Sequence, residues 1–277
     1  MASVKRFSEI DTSTFVALKP RADSKSKIIT VMMQNGSGNL ERIIYQAPKM
    51  KIPFGISNNA KYLQENEEPV ADGETIIPGM KWHINSSFQG EENQVEIGEY
   101  RRWLEECITK GLECYLPNAD TYTPRNKGKK HTLESLEEMV SPIIIVSGKE
   151  GRADTTKESI PSDYKTGIPY ESIKFYEKSV DGEGKKVVVE SSYENLTPYC
   201  DAIRILQFVG FKINPTGKQL FPFVNVVQCL FYKPQKRAPL SDTFKDLCIQ
   251  DDEESEEEYF EEEEELEVAE EISEEQN

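Results

Sequence analysis

The stretch from Tyr199 to Pro234 reads YCDAIRILQFVGFKINPTGKQLFPFVNVVQCLFYKP, and it decides the fold class of this chain. Two long runs rich in β-branched and aromatic residues flank Asn214-Pro215-Thr216-Gly217, a combination of residues typical of a turn. The pattern therefore predicts a β-hairpin, here called the central hairpin, in the middle of a sheet.

The charge of this stretch is also unusual. Between Asp201 and Asp242 there is no acidic residue, whereas six residues are basic. A sheet that is aromatic, cationic and free of carboxylates is compatible with simple core packing. It is equally compatible with a platform for single-stranded nucleic acid, whose phosphates attract cations and whose bases stack on aromatic rings.

Strand signals recur along the rest of the chain. Turn-forming residues between apolar runs predict hairpins at residues 27–47 and 172–191. Single strands are predicted over Lys81–Phe88 and Pro142–Ser147. The strand content is therefore high, and hairpins rather than βαβ units connect the strands.

Helical periodicity is limited to two segments. Apolar residues at helical spacing predict an amphipathic helix over Gly98–Leu112 and a short helix over Leu133–Val140, which Thr132 could cap. Because hairpins dominate, we expect an antiparallel barrel or sandwich with one or two covering helices.

The net charge of −17 resides entirely in the C-terminal segment. Residues 251–277 contain 17 Asp and Glu and no Lys or Arg, so the preceding 250 residues hold 33 acidic and 33 basic groups. Because so many like charges repel and cannot pack, this segment is predicted to be a disordered tail. We accordingly divide the chain into an N-terminal arm (1–26), a binding body (27–250) and an acidic tail (251–277).

The sequence disfavours several classes of protein. No apolar run approaches the roughly 18 residues of a membrane span. The N-terminus lacks the apolar core of a signal peptide. These two observations predict an intracellular protein with no membrane partner. The five cysteines include no CxxC pair, and His83 and His131 have no partners at metal-ligand spacing. Phosphate-loop, GxSxG and HExxH motifs are absent. We therefore expect no enzyme, no cofactor and no metal.

Binding residues are predicted where cations and aromatic rings share an acid-free window. Besides 202–241, the windows 42–64 and 121–133 contain no Asp or Glu, which indicates a positive groove in a body without net charge. Each ring could instead belong to the core, and the basic residues after position 124 could form a solvated loop. The adjacent Lys81 and Trp82 of a predicted strand are added to the residues of these windows. The predicted nucleic-acid-binding residues are Lys49, Lys51, Phe54, Lys61, Lys81, Trp82, Arg125, Lys127, Lys129, Lys130, Arg204, Phe211, Lys212, Lys218 and Lys233.

The acidic tail has two interpretations. It could be a solubilising appendage, or it could imitate DNA, because a tethered polyanion reaches a high effective concentration beside a cationic groove. Under the second hypothesis the tail suppresses non-specific binding, yields to single strands and then docks on basic surfaces of partner proteins. Tyr259-Phe260 would be the aromatic anchor for that docking.

Three segments resemble the single-stranded DNA-binding proteins of large nucleocytoplasmic DNA viruses, an OB-fold family distantly similar to those of short-tailed phages. Pro48–Ile56 resembles the family's P-x-M-x-x-P-F-G segment, Ser172–Tyr176 resembles a strand of its second half, and Ile203–Lys233 resembles its C-terminal hairpin with W-x-V-V-Q. Asn225 stands where that motif usually has tryptophan, and Ser273–Asn277 lacks the terminal phenylalanine of bacterial and phage tails.

The resemblance implies a mainly β fold, an antiparallel OB-like barrel over 27–250 with one or two covering helices and a disordered acidic tail. It implies sequence-tolerant binding of single-stranded DNA in viral replication, recombination and repair, without catalysis. The expected partners are single-stranded DNA and replication proteins that dock on the tail, and a homo-oligomer is left open. The expected location is a viral replication factory in the host cytoplasm, and the virion is a second expected location. The alternative is an acidic chaperone or virion structural protein that binds basic proteins.

Overall fold

The computed structural model describes residues 4–20, 27–59, 79–123, 129–149, 151–180, 185–214 and 216–233. Several predictions concern positions outside these residues. They include the tail at 251–277 and three predicted binding residues, Lys61, Arg125 and Lys127.

Thirteen strands and two α-helices occur in the described residues. The strands are β1 (Lys5–Arg6), β2 (Phe15–Ala17), β3 (Ile28–Gln34), β4 (Leu40–Gln46), β5 (Met50–Ile52), β6 (Ile56–Asn58), β7 (Trp82–Ser87), β8 (Ile144–Ile145), β9 (Thr155–Ile160), β10 (Lys174–Val180), β11 (Lys186–Ser191), β12 (Cys200–Ile213) and β13 (Leu220–Tyr232). The helices are α1 (Val95–Tyr122) and α2 (Leu133–Glu137). Neither described helix combines the length and apolar character needed to cross a membrane.

Five of the strands close into a barrel. β12 pairs with β5, β5 with β7, β7 with β9, β9 with β13, and β13 pairs back with β12. The closed barrel confirms the predicted mainly β, OB-like fold class. One pair, β9 with β13, is parallel rather than antiparallel. A parallel pair needs a crossover between its strands, and β10, β11 and β12 provide it here.

The central hairpin is formed by β12 and β13. The two strands pair from Asp201 opposite Tyr232 to Ile213 opposite Leu220, with two irregularities that bend the ladder. At Gly210 the backbone φ is +124°, and a Cβ there would overlap the carbonyl oxygen of Ile29. On its other edge the bent β12 pairs with β3, β4 and β5, so the hairpin joins the barrel to the remaining sheet.

Helix α1 covers the sheet and extends beyond its predicted limits at both ends. Its buried residues, including Tyr100, Trp103 and Leu104, recur at helical spacing and belong to the single hydrophobic core. The helix approaches β12 closely at Gly111, where an added Cβ would lie 2.8 Å from the ring of Phe211. The small residue therefore sets the distance between helix and barrel.

Residues 4–20, which the sequence assigns to an arm, are packed on the body. β1 pairs with β4, and β2 pairs with β3. The side chains of Phe7, Ile10 and Phe15 are buried, and the ring of Phe7 lies 5.2 Å from that of Tyr100. The few apolar residues are separated by short 3-10 turns at 7–9 and 12–14, which hides the strand pattern in the sequence.

Candidate nucleic-acid interface

The second and third barrel strands, β7 and β9, carry an outward polar surface, here called the β7–β9 face. In OB barrels this pair of strands is the usual binding surface. Side chains alternate along both strands, so that positions such as Ile84 and Glu158 are buried. The outward residues form three cross-strand pairs, which are His83 with Ser159, Asn85 with Lys157, and Ser87 with Thr155.

A row of polar residues crosses the β7–β9 face and continues around the barrel. Ser57 on β6 lies opposite His83, and His83 lies opposite Ser159. Ser159 in turn lies opposite Asn225 on β13, which pairs with Gln207 on β12. Neighbouring strands are about 4.8 Å apart, so this polar row extends about 19 Å along the curved surface of the barrel. Its part on the β7–β9 face consists of His83 and Ser159, and it provides hydrogen-bonding groups along a line that crosses the strands.

Positive charge flanks the polar row. Lys157 is exposed beside His83, and burial together with the charge of Lys157 lowers the pKa of His83 to about 4. Partial burial, and then the nearby charge of Lys81, lowers the pKa of Lys212. Among the described residues, Lys81, Lys157 and Lys212 form no ion pair. An anion bound near Lys81 and Lys212 would relieve the repulsion between these two like charges.

A groove of about 500 Å³, here called the aromatic groove, opens at one end of the β7–β9 face. Its lining includes Phe54 from the turn between β5 and β6, Tyr199 from the start of the central hairpin, Asn85 and Arg152. Phe54 is 53% exposed and Tyr199 is 72% exposed. Both rings are therefore accessible to a stacking partner, and Arg152 supplies a cation beside them.

The backbone of Tyr199 is strained. Its φ is +61°, the one positive value at a non-glycine position in the described part of the chain. The Tyr199 N–H donates to the carbonyl oxygen of Ile52 at 2.8 Å, which holds this conformation. A left-handed conformation costs such a residue about 1–3 kcal/mol and tends to occur at functional sites. An exposed ring on a strained backbone therefore makes Tyr199 a candidate binding residue.

Two amide oxygens on this surface lack partners. The Oδ1 atoms of Asn85 and Asn225 are buried and accept no hydrogen bond from any described residue. A buried acceptor without a donor is unusual, because most such atoms are satisfied within the protein or by a ligand.

No family model matches the chain, and no curated protein matches it significantly. Among solved structures, gp2.5, a single-stranded DNA-binding protein encoded by bacteriophage T7, aligns with a TM-score of 0.39 and 11% identity over 76% of this chain and 97% of that one. The single-stranded DNA-binding protein from bacteriophage Enc34, in complex with single-stranded DNA, aligns with a TM-score of 0.35 and 11% identity over 79% of this chain and 97% of that one. The C-terminal truncation of the Enc34 protein aligns with a TM-score of 0.36 and 9% identity over 80% of this chain and 98% of that one. Because the TM-scores and identities are this low, function has to be argued from the chain's own surface.

Four of the predicted binding residues lie on or beside this surface. Lys51 is exposed on β5 opposite Ser87, and Phe54 lines the aromatic groove. Lys81 precedes β7, and Lys212 lies near enough to Lys81 for that charge to lower its pKa. Lys218 is exposed in the turn of the central hairpin, away from these residues along the chain.

Other predicted residues are engaged within the protein or lie elsewhere. Lys49 contacts Asp201 at 2.9 Å and lies over the ring of Tyr232, and Lys233 contacts Glu177 at 2.9 Å. The indole N–H of Trp82 donates to the carbonyl oxygen of Gly167, and its ring packs on Tyr193. Two further lysines are exposed in the loop before α2, namely Lys129 and Lys130.

Arg204 and Phe211 were predicted to contact nucleic acid, and the structure corrects both predictions. Each side chain is 0% exposed. The guanidinium Nε of Arg204 lies 3.1 Å from an oxygen of Glu158 inside the barrel, and Phe211 packs edge-on against Phe208. The acid-free window around Arg204 is misleading because its carboxylate partner lies on β9, 46 positions earlier in the sequence.

Several residues of the surface were not predicted. Lys157, Asn85, Asn225 and Tyr199 were not among the predicted binding residues, and His83 was considered only as a metal ligand. β9 lies in a segment that reads as a polar loop because two of its buried positions are Thr156 and Glu158 rather than apolar residues. The alternation is present there, but hydrophobicity alone does not reveal it.

The described residues contain no group of three His, Cys, Asp or Glu side chains that could hold a metal ion. The four described cysteines are free thiols. His131 is buried at the junction of α1 and α2, where its Nδ1 lies 3.2 Å from the hydroxyl of Ser135. His131 therefore has a structural role in joining the two helices.

Proposed function

We propose that this chain binds single-stranded DNA across the β7–β9 face with little dependence on base sequence. The observation that carries the proposal is the polar row, because it lies between accessible rings and lysines that form no ion pair with described residues. Phosphates would contact Lys81, Lys157 and Lys212, and bases would stack on Phe54 and Tyr199.

The geometry favours a single strand over a duplex. Stacking on the exposed rings of Phe54 and Tyr199 requires unpaired bases, whereas the bases of a duplex are stacked on each other inside the helix. The polar row is made of serine, asparagine, glutamine and histidine side chains, without the bidentate arginine contacts that read guanine. Binding should therefore depend little on sequence.

The acidic segment 251–277 would compete with DNA for the same surface. It carries 17 carboxylates and no cation, and it belongs to the same chain as lysines that have no described carboxylate partner. A tethered polyanion acts at high effective concentration, so it would weaken non-specific binding. Once displaced by DNA, the segment would be free to dock on replication proteins.

The wider role that we propose rests on the resemblance of Pro48–Ile56, Ser172–Tyr176 and Ile203–Lys233 to the viral family. It is a non-catalytic role in viral DNA replication, recombination and repair, carried out in a cytoplasmic replication factory. The acidic segment favours one alternative, a chaperone or virion protein that binds histones or other basic proteins.

Fluorescence anisotropy with labelled oligo(dT) and a duplex of equal length tests the proposal. The full chain and a chain ending at residue 250 should both bind oligo(dT), more weakly as salt rises, and both should prefer it to the duplex. Removal of the acidic segment should tighten binding most at low salt. If neither chain binds oligo(dT) at low salt, the proposal fails. Histone binding that requires 251–277, without DNA affinity, would support the alternative.

A further inference from the structure

Strand β11 leaves one edge of the sheet open. It is the terminal strand of the sheet order and, within the described part of the chain, it pairs only with β10. Val188 is 57% exposed and Val189 is 43% exposed on this strand. An open edge presents unpaired backbone N–H and C=O groups, which can pair with another strand.

The centre of β11 lacks the features that usually protect an edge. Residues 187–189 are three valines, with no charge or proline among them, and valine favours strand pairing. The register with β10 runs without a bulge from Val180 opposite Lys186 to Phe175 opposite Ser191. The edge is therefore regular and able to accept a further strand along its whole length.

The sequence of β11 is complementary to itself in one antiparallel register. When Val188 lies opposite Val188 of a second copy, Val187 faces Val189, and Lys186 faces Glu190. Symmetry forms the Lys186–Glu190 pair twice, and opposite charges at such positions stabilise a sheet. A two-residue shift in either direction places a valine opposite one of these charges and loses both ion pairs. A one-residue shift mismatches the hydrogen-bonding type of paired residues.

The surface beside Val188 also suits a second copy. A shallow apolar groove of about 130 Å³ is lined by Tyr176, Val188, Gln228 and Leu230. Pairing through β11 would continue this groove across the twofold axis and cover part of the exposed valine. Glu190 already contacts Lys174 of its own chain at 2.7 Å, so it would lie between two cations.

We propose that two copies of this chain associate by antiparallel pairing of their β11 strands, with Val188 on the twofold axis. The contact involves six residues from each copy and is small, so association should depend on concentration. In the strand order β13 and β10 separate β11 from β7 and β9, so the dimer leaves the β7–β9 face free. The inference does not depend on DNA binding.

Sedimentation velocity of the full chain, without DNA, tests the inference. The wild type should show a dimer that grows with concentration. Lys186→Glu and Glu190→Lys each place two like-charge pairs across the axis, so each should weaken dimerisation roughly tenfold or more. A 1:1 mixture of the two variants should form heterodimers, because their reversed charges are complementary across the interface.

Lys19→Glu and Glu92→Lys are matched controls, since both residues are exposed and lie outside β11. These variants should dimerise like the wild type, alone and mixed, and circular dichroism of all variants should match. A wild type that stays monomeric at its solubility limit would overturn the proposal. So would a dimer that resists both reversals, or a mixture that fails to restore association.

Discussion

The buried pair of Arg204 and Glu158 makes a sharp prediction about the barrel interior. The two side chains are 0% and 1% exposed, and Arg204 Nε lies 3.1 Å from Glu158 Oε2. Within the described structure these atoms form no well-aligned hydrogen bond. The guanidinium also lies 3.2 Å from the sulfur of Met50. Replacing Arg204 by Met keeps much of the volume and leaves the Glu158 carboxylate without its cation.

The expected loss of stability is large. Removing one partner of a buried ion pair typically costs about 3–5 kcal/mol, because the remaining charge is buried without compensation. With a urea m-value of about 3 kcal/mol/M for a chain of this size, the unfolding midpoint should fall by about 1–2 M. The double variant Arg204→Met, Glu158→Leu removes both charges, and it should recover most of the loss.

The same variant should show a characteristic pH dependence. Burial raises the pKa of Glu158, and Arg204 opposes that shift. Without Arg204 the folded pKa rises further above the unfolded value of about 4.3. The folded state then binds the proton more tightly, so the free energy of unfolding increases as pH falls through the interval between the two pKa values.

Urea unfolding followed by tryptophan fluorescence, at neutral and mildly acidic pH, measures both effects. An Arg204→Met midpoint equal to that of the wild type at neutral pH would refute the assignment of Arg204 to a buried pair. A double variant no more stable than the single one would show that lost packing, rather than the orphaned charge, determines the cost.

Three further predictions concern the site and the core. His83 should titrate with a pKa of about 4 when followed by NMR, and Lys157→Gln should raise that pKa. Because the pKa of His83 in the folded state lies below the unfolded value of about 6.5, the free energy of unfolding should fall as pH drops from about 6.5 towards 4. A histidine with an unshifted pKa would contradict the described burial and the nearby charge of Lys157. Gly111→Ala should destabilise the fold by about 1–3 kcal/mol, because the added methyl group would overlap the ring of Phe211. Gly98→Ala in the same helix is the control and should stabilise the fold by up to about 1 kcal/mol. Equal effects of the two substitutions in thermal melts would disprove the close packing of Gly111 on Phe211. Tyr199→Gly should relieve about 1 kcal/mol or more of strain yet weaken DNA binding, and unchanged DNA affinity would exclude the ring from the site.

The fold class was predictable because its signals are local. Alternating apolar residues, a Pro-Gly turn and helical spacing identify the central hairpin and most of α1 from short windows of sequence. The closure of the barrel was not predictable in detail, because it depends on pairing between strands far apart in the chain. The parallel contact of β9 with β13 is one such pairing.

The candidate site was predictable only in part, for a related reason. Acid-free windows indicated Lys51, Phe54 and Lys212, and the predicted strand that starts at Lys81 indicated Lys81; all four lie on or beside the surface. The windows also indicated Arg204, because counting charges along the sequence ignores a carboxylate that a distant strand brings into contact. Burial and cross-strand neighbours decide whether a cation faces solvent, and neither is encoded in a single window.

The most direct test of the central claim is the salt dependence of oligo(dT) binding by Lys157→Gln, with Lys5→Gln as the control. Lys157 projects from the middle of the β7–β9 face, whereas Lys5 is exposed on β1, which four strands separate from β7 in the strand order. Loss of one phosphate contact should weaken binding at low salt and reduce the slope of log K against log salt by about 0.7, with the control unchanged. Equal affinity and slope for Lys157→Gln and the wild type would contradict the assignment of this face to single-stranded DNA.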